Sequence, residues 1–540
     1  MTRTDSTSKP LDWPVVVVGA LILLGLGTLI AYFLAGADLS ASFGPIDDHE
    51  PLYWIGGDGR LSPSEYLSTL LRDTEVGAWP DTVRFRPTYY GFRMGEAVLF
   101  GTNVEAWYAT VLGLYALTIA MGATAFGIAV DWAADWKSRW ARAASFMISG
   151  SLAALAVAGM DAWKGIVTRL GPSEILGTAF TMLALLALVL LVRTRTRIWW
   201  LPLMAGCIGA PLAKETFILV PFLALATGFY LFTQDKKWSD LLWSASSMIP
   251  LALLAPIILG NESDVYGQVG GVERLQIGLT ATFAVFRYYW LPGTTALLIA
   301  SIAWWWLCSR NHRATAMLVG ALVAWSVALL WGDIILNGGH YGHVRYWMVF
   351  DIAKVLQICG AVILSIAIVR RSAGTPRIVG AIVLLLAAAL FGRAILTSLV
   401  EFPKIKAEAQ LNQVSTKAYE SGLSGAVQKL REIGSRQLVV VVPASVEAEP
   451  SRAILTQIAR STGGIARGFL LPDMNLEDRQ GSTGQWLTAL SRQGAENWKL
   501  TPFDRFDSNA PVACVFINVD PYPLTPCLAN ASVRIDARGM

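Results

Sequence analysis

The sequence predicts a polytopic α-helical membrane protein with a small α/β domain at its C-terminus. Hydrophobic residues make up 54% of the 540 and charged residues only 15%, and the mean hydropathy is +0.49. These values lie far from those of an average soluble domain. The net charge of +4 gives no support to nucleic-acid binding. We therefore divide the chain into a transmembrane domain, 1–400, and a soluble domain, 401–540.

The transmembrane domain is predicted to contain about eleven spans, because a helix needs about twenty apolar residues to cross a bilayer. The N-terminal run exceeds the roughly 7–15 apolar residues of a signal peptide, so we expect an uncleaved first helix. The candidate spans are residues 14–35, 105–130, 143–160, 174–192, 198–212, 216–233, 241–259, 291–308, 315–335, 347–369 and 378–399.

Short basic segments alternate with these spans in a way that predicts the orientation. Counting helices, all of these segments fall on one side, which the positive-inside rule assigns to the cytoplasm. The N-terminus is then cytoplasmic, and a long first loop over 36–104 and the C-terminal domain lie outside. The basic segments are the N-terminus, "DWKSRWAR", "RTRTR", "QDKKW", "SRNHR" and "RRSAGTPR".

The C-terminal segment has the composition of a soluble domain. "AYESGLSGAVQKLREIG" predicts an amphipathic helix, whereas "RQLVVVVPA" and "PVACVFINVD" predict buried strands. "SRAILTQIARSTGG" and "GQWLTALSRQG" are helical patterns, so the alternation indicates an α/β fold. In an oxidising exported space, Cys514 and Cys527 are expected to form a disulfide. The segment has no nucleotide-binding motif.

An acidic cluster follows the first span, in "GPIDDHEPLYW". Asp47, Asp48, His49 and Glu50 stand between two prolines and among aromatic residues. Three interpretations apply: a solvated loop, a metal site or a set of catalytic acids. Enclosed carboxylates act as general bases where their surroundings set a suitable pKa.

Further charged residues lie at loops assigned to the same side. Arg84 and Arg86 in "RFRP" form either a solvated extended segment or a guanidinium fork for a phosphate or carboxylate. Asp161 follows the third span, where an acid is either interfacial or functional. Lys214 and Glu215 are either a charge pair in a tight turn or groups facing a cavity, as ionisable residues near hydrocarbon usually do.

The loop "NGGHYGHVRYW" carries the last candidates. His340 and His343 could bind zinc if helical, but the neighbouring glycines favour a loop. The alternative is that Arg345, with the histidines and Tyr346, holds a lipid-linked phosphate, because arginine stays charged and presents a planar fork. Since these clusters share one predicted side, they indicate a single polar cavity open to the bilayer and to the aqueous space.

The order of "PIDDHE", "RFRPTYYG", "MDAWKG", "PLAKET" and "GHVRYW" over residues 10–400 resembles the GT-C superfamily of membrane glycosyltransferases. The resemblance implies that Asp47 is the catalytic acid of the first loop and that Asp48 is the second acid of that motif. One departure is "RYWMVF", which lacks the proline that several relatives have after "RY". The other residues that match family motifs are Asp161, Lys214, Glu215, Arg345 and Tyr346.

The same resemblance implies an inverting transfer of a sugar from a polyprenyl-phosphate-linked donor to a cell-envelope glycan, lipid or protein acceptor. The expected location is the bacterial inner membrane, with membrane lipids around the chain and no nucleic acid as a partner. No cofactor is required by this chemistry, and the sequence leaves a divalent metal undecided. A transporter or flippase of lipid-linked glycans and a non-catalytic envelope assembly protein are the alternative functions.

Overall fold

The computed structural model describes most of the transmembrane part of the chain and four strands of the C-terminal part. The described residues are 11–44, 48–55, 59–79, 82, 84–260, 280, 291–307, 319–329, 344–433, 437–442, 467–472, 512–517 and 527–535.

Helices dominate these ranges. The α-helices are α1 Trp13–Ala35, α2 His49–Trp54, α3 Tyr66–Arg72, α4 Pro87–Phe100, α5 Val104–Ala134, α6 Arg139–Ala158, α7 Glu174–Thr194, α8 Trp200–Ala213, α9 Phe222–Asp235, α10 Trp238–Ser246, α11 Ile249–Gly260, α12 Leu291–Leu307, α13 Val319–Leu329, α14 Met348–Arg371 and α15 Thr375–Glu432. Short 3₁₀ helices occupy Gly36–Ser40, Asp161–Gly165, Arg197–Trp199, Glu215–Phe217 and Val344–Trp347.

Among the described residues, 8 helical stretches are long and apolar enough to cross a membrane. They coincide with eight of the predicted spans and establish a polytopic helical membrane protein. The other predicted spans coincide with α8, α12 and α13, which have 14, 17 and 11 described residues and are shorter than the spans that qualify. The total of eleven spans stays a prediction.

Small residues allow the helices to pack closely. A Cβ atom at Gly27 of α1 would lie 2.8 Å from the carbonyl oxygen of Ala116 in α5. A Cβ atom at Gly206 of α8 would lie 2.5 Å from the carbonyl oxygen of Phe180 in α7. These pairs therefore depend on glycine, as is common where membrane helices bring their backbones together.

The predicted basic segments that the structure describes lie together at one end of the helix bundle, which we call the basic end. Arg139 at the start of α6 pairs with Asp12 at 3.1 Å. The Arg370 Nε donates to the carbonyl oxygen of Ala134 at 2.9 Å. The rings of Trp13 and Trp199 stack with their centroids 6.0 Å apart. The basic end comprises residues 11–13, 132–142, 193–199, 235–240 and 370–377.

Helix α15 is much longer than the span predicted within it. It has 58 residues, a length of about 87 Å, and it continues through the predicted domain boundary at residue 400. The amphipathic helix predicted at 418–434 forms its last turns. Pro403 lies inside it, where the loss of one backbone hydrogen bond is outweighed by the good helix formers that follow.

Four parallel strands follow α15. They are β1 Gln437–Val442, β2 Arg467–Pro472, β3 Val512–Ile517 and β4 Cys527–Ile535, in the sheet order β2-β1-β3-β4. β1 and β3 coincide with the two runs interpreted as strands. Parallel neighbours require crossover connections, but the segments that connect these strands, including both predicted helices, lie outside the described residues. The α/β domain therefore stays a prediction.

Two cysteines in the described helices have free thiols, whereas one cysteine in the sheet is disulfide-bonded. Cys207 and Cys359 are buried thiols, as expected for cysteines in apolar runs. Cys514 is buried in β3 and is disulfide-bonded. Its predicted partner, Cys527, begins the adjacent strand β4, where it is paired with Val512. The Cys527 side chain lies outside the described part of the chain, so the pairing itself stays a prediction.

Candidate functional site

Arg86 and Glu215 meet at the end of the bundle opposite the basic end, although they are 129 residues apart. Arg86 precedes Pro87, which begins α4. Its Nε and Nη2 atoms donate to the two carboxylate oxygens of Glu215 at 2.8 and 2.5 Å. Burial lowers the pKa of Arg86, but the Glu215 carboxylate outweighs that effect and raises it well above its usual value. The pair is therefore a fixed bidentate ion pair.

Lys214 lies beside this pair and has a different partner. Its backbone is extended, with φ −153° and ψ 132°, between the end of α8 and the 3₁₀ helix that Glu215 begins. The Lys214 Nζ lies 2.8 Å from the Oε1 of Glu174, and both side chains are buried. The same Nζ stands 5.0 Å from the ring centroid of Tyr346. The predicted "KE" turn thus supplies one charge to each of two ion pairs.

Arg345 and Tyr346 extend this arrangement from the 3₁₀ helix Val344–Trp347. The Arg345 Cζ lies 5.4 Å from the ring centroid of Tyr346, so this ring contacts two cations, Arg345 and Lys214. Stacking a cation on an aromatic face is favourable where water is limited. Arg345 also acts electrostatically on Glu174. The "RY" and "KE" motifs, which are distant in sequence, are therefore adjacent in space.

Glu75 completes the group, and sequence reasoning missed it. It lies between α3 and α4, and its Oε2 atom is buried with no hydrogen-bond partner in the structure as described. Burial raises the pKa of its carboxyl group, while Arg86 and Arg84 partly offset the rise. Glu75 also interacts with Glu215 and Tyr90.

We call these residues the charged cluster. It contains four cations and three carboxylic acids, so its balance is positive even when every group is ionised, and its net attraction is for an anion. Six of its members were predicted site residues, whereas Glu75 and Glu174 were not. The charged cluster comprises Glu75, Arg84, Arg86, Glu174, Lys214, Glu215, Arg345 and Tyr346.

Asp161 lies next to the cluster. It pairs with Lys164 at 2.6 Å, and its side chain is 46% exposed. The 3₁₀ helix Asp161–Gly165 packs against that of Arg345: a Cβ atom at Gly165 would lie 3.4 Å from the Arg345 backbone nitrogen. The Asp351 carboxylate accepts a hydrogen bond from the Ala162 backbone at 3.2 Å. Asp161 is thus an accessible acid beside the loop that carries Arg345.

Asp48 anchors the first loop. It is 2% exposed, and its two carboxylate oxygens accept hydrogen bonds from the backbone of Gly44 at 2.7 Å and of Leu170 at 3.1 Å. The Tyr108 hydroxyl donates to it at 3.5 Å. This geometry holds the loop against the helix ends. Whether Asp48 is also catalytic stays a prediction.

The other members of the acidic motif are only partly described. Asp47 lies outside the described residues. His49 and Glu50 begin α2, but their side chains lie outside the description. His340 and His343 also lie outside it, and with them the zinc hypothesis. Among the residues that the structure does describe, no group of three or more His, Cys, Asp or Glu side chains could hold a metal ion.

Helix α15 holds the first loop from the other side. The Asn412 Nδ2 donates to the Oδ1 of Asp38 at 2.7 Å and to the Tyr108 hydroxyl at 3.2 Å. The backbone nitrogen of Ser42 donates to the Thr416 Oγ1 at 3.1 Å. The loop that precedes Asp48 is therefore fixed between α5 and the helix that leads to the C-terminal sheet.

Fold and site together define a polytopic helical membrane protein with a partly buried ionic cluster at one end of its bundle. Comparison with protein-family models, with curated proteins and with solved structures gave no match. The GT-C resemblance therefore stays a hypothesis that depends on the motifs and on the chemistry of the cluster.

Proposed function

We propose that this protein is an inverting membrane glycosyltransferase. It transfers a sugar from a polyprenyl-phosphate donor to a cell-envelope glycan, lipid or protein acceptor on the outer face of the inner membrane. Our proposal includes eleven spans, a GT-C-like transmembrane domain and an exported α/β domain at the C-terminus. It requires no nucleotide.

The observation that carries the proposal is the positive balance of the charged cluster at the end opposite the basic loops. Arg345 and Lys214 share the ring of Tyr346, and Arg84 lies within electrostatic range of Glu75 and Glu215. Fixed cations in a site of low polarity attract a phosphate at little reorganisation cost. A lipid-linked phosphate would reach this position from the bilayer with its sugar toward the aqueous side.

The reaction is a single displacement at the anomeric carbon. The acceptor oxygen attacks from the face opposite the phosphate, and the bond between the anomeric carbon and the phosphate oxygen breaks. Its electron pair stays on that oxygen, so the polyprenyl phosphate gains negative charge. Arg345, Arg84 and Lys214 stabilise this developing charge.

The acceptor proton is assigned to Asp47. Its neighbour Asp48 is held by two backbone amides, which makes Asp48 the anchor of the motif and leaves Asp47 as the general base. If the acceptor is itself a phosphate, no base is needed, and Asp47 instead orients the acceptor or its counter-cation.

A reconstituted assay tests the proposed function. The purified chain, in vesicles, is supplied with a panel of polyprenyl-phosphate hexoses and pentoses and an extract of envelope acceptors, and both sugar transfer and lipid translocation are measured. We expect transfer from one donor without translocation. Translocation of donors without transfer would instead establish the flippase alternative.

Within this assay, Asp47→Asn is expected to reduce transfer by about a hundredfold or more, the usual contribution of a general base. Glu65→Gln, which changes an exposed acid in the same loop, is the matched control and should transfer normally. Unchanged transfer by Asp47→Asn to a hydroxyl acceptor would contradict the assignment of the base.

A further inference from the structure

A second candidate site lies inside the membrane part, far from the charged cluster. A cavity of about 290 Å³ lies between α5, α6, α7, α12, α13 and α14, and its walls are almost wholly apolar. Along α14 it extends from Val355 to Arg371, a distance of about 24 Å at the helical rise. The cavity is therefore an elongated apolar channel comparable in length with most of the hydrocarbon core, which is about 30 Å thick.

The channel ends at the basic end in two tryptophans and one arginine, and a second arginine lies beside them. Trp132 and Trp304 line it, and so does Arg371, whose side chain is exposed. The Arg371 Cζ lies 5.9 Å from the ring centroid of Trp304, and the Arg193 Cζ lies 5.9 Å from the ring of Trp132. Each arginine is thereby held at the opening by an aromatic ring, the pairing common at the level of lipid headgroups.

The charge at this opening is also positive. Arg193 lies within electrostatic range of Asp131, Asp135, Arg142 and Arg371. Asp131 is already engaged with Arg142 at 3.3 Å, and both of these side chains are largely buried. Three arginines thus share two aspartates, so the opening attracts an anion directly above an apolar channel.

We propose that this cavity binds an anionic phospholipid, with one acyl chain between the helices and the phosphate at Arg371 and Arg193. Basic pockets between membrane helices are a known means of recognising anionic headgroups. The proposed occupant matches the site in both of its parts: the channel excludes a free anion, and the arginines distinguish an anionic lipid from a zwitterionic one.

The same geometry argues against the sugar donor as the occupant. Arg345 and Arg371 stand at opposite ends of one helical segment, about 39 Å apart at the rise of an α-helix. A donor phosphate at Arg371 would lie a full membrane thickness from the charged cluster. The lipid site is independent of the proposed function and would hold for a transporter as well.

The test measures lipid binding by the full-length protein in detergent. Phosphatidylglycerol and phosphatidylcholine of identical acyl chains are titrated, and bound lipid is followed by native mass spectrometry and by the thermal unfolding temperature. We expect retention of phosphatidylglycerol and a concentration-dependent rise in unfolding temperature, with little effect of phosphatidylcholine.

Two variants separate the contribution of the lipid headgroup to binding from that of the acyl chain. Arg371→Gln should weaken phosphatidylglycerol binding about fivefold, the effect of one arginine near an anionic lipid. Ala129→Phe adds a large side chain to the cavity wall and should abolish binding while both arginines remain. Arg377→Gln, an exposed arginine at the same end but outside the cavity, is the control and should bind normally.

Four results would overturn the proposal. Equal binding of phosphatidylcholine would remove the role of the arginines. Unchanged phosphatidylglycerol binding by a folded Ala129→Phe protein would show that the channel does not hold the acyl chain. An equal rise in unfolding temperature with glycerol phosphate, which has no acyl chain, would show the same. Displacement of phosphatidylglycerol by equimolar polyprenyl phosphate would assign the cavity to the carrier lipid instead.

Discussion

At the scale of single residues, Arg86 and Glu215 are partners of each other more than ligands for a substrate. Both were predicted as substrate-binding residues, Arg86 because a guanidinium fork suits a phosphate and Glu215 because it belongs to the charged "KE" turn. The bidentate contact occupies the fork of Arg86, and Lys214 is likewise paired with Glu174, so in our proposal the attraction for a phosphate comes from the net charge of the whole cluster. Removing one partner of a buried ion pair typically costs about 3–5 kcal/mol, so variants of Arg86 or Glu215 would report stability rather than binding.

Glu75 provides a pH-dependent prediction. Burial raises the pKa of its carboxyl in the folded state. The stability it contributes is therefore fully present below the unfolded value of about 4.3 and is lost as the pH rises through the folded pKa. We expect Glu75→Gln to gain stability relative to the natural protein as the pH increases from about 4 to about 8, measured by thermal unfolding in detergent.

The matched control for this prediction is Glu65→Gln, because Glu65 is exposed in the same loop. Its stability difference from the natural protein should stay nearly constant across the same pH range. A stability difference between Glu75→Gln and the natural protein that is equally independent of pH would contradict the raised pKa of Glu75.

Two members of the charged cluster could not have been found from sequence. Glu75 stands in "RDTEVG", an ordinary polar loop pattern, and Glu174 follows Ser173 at a helix start, where an acid is expected for the helix dipole alone. Their significance comes from partners 11 and 40 residues away, Arg86 and Lys214. By contrast, Lys214 and Glu215 stood out because they lie between two apolar runs, where a charge needs a partner. Arg86 and Arg345 stood out because a guanidinium fork suits a phosphate.

At the scale of elements, α15 connects the first loop to the C-terminal sheet. Sequence reasoning divided it into a span and a separate amphipathic helix, because the composition changes near residue 400. The helix nevertheless continues, because its polar part finds tertiary contacts with the first loop that composition does not reveal. Its contacts with Asp38 and Ser42 come from Asn412 and Thr416.

Asn412→Leu tests this element. The substitution removes the donor to the buried carboxylate of Asp38, so we expect a loss of about 1–3 kcal/mol in the free energy of unfolding. We also expect faster amide hydrogen exchange over residues 36–44, measured by mass spectrometry. Lys417→Gln, an exposed position on the same helix, should change neither quantity. Unchanged exchange in Asn412→Leu would mean that α15 does not hold the loop.

At the scale of the whole molecule, the bundle separates its charges into two ends. The alternation of apolar runs with basic loops was readable from the sequence because hydrocarbon length and loop charge are strong constraints. Helices α8, α12 and α13 are shorter than the length that identifies a membrane span. Length alone therefore does not determine how many of them cross the membrane. The pairing of strands in the C-terminal sheet could not be predicted from the sequence either, because parallel partners are distant in sequence.

Cysteine labelling tests the predicted orientation. In a background with the native free thiols replaced by serine, Glu408→Cys and Lys237→Cys place single exposed thiols on α15 and at the basic end. An impermeant maleimide added to intact cells should label Glu408→Cys only, and both variants should label after permeabilisation. Labelling of Lys237→Cys in intact cells would reverse the predicted orientation.

The central claim is that the charged cluster stabilises the phosphate released from a lipid-linked sugar. The most direct measurement is the rate of polyprenyl phosphate release by the reconstituted protein and its Arg345→Gln variant, with the donor that supports transfer. Our account predicts a decrease of about a hundredfold in Arg345→Gln, the usual effect of losing one charge-stabilising donor, and an unchanged rate in the exposed control Arg72→Gln. An Arg345→Gln protein that is folded and releases polyprenyl phosphate at the natural rate would contradict it.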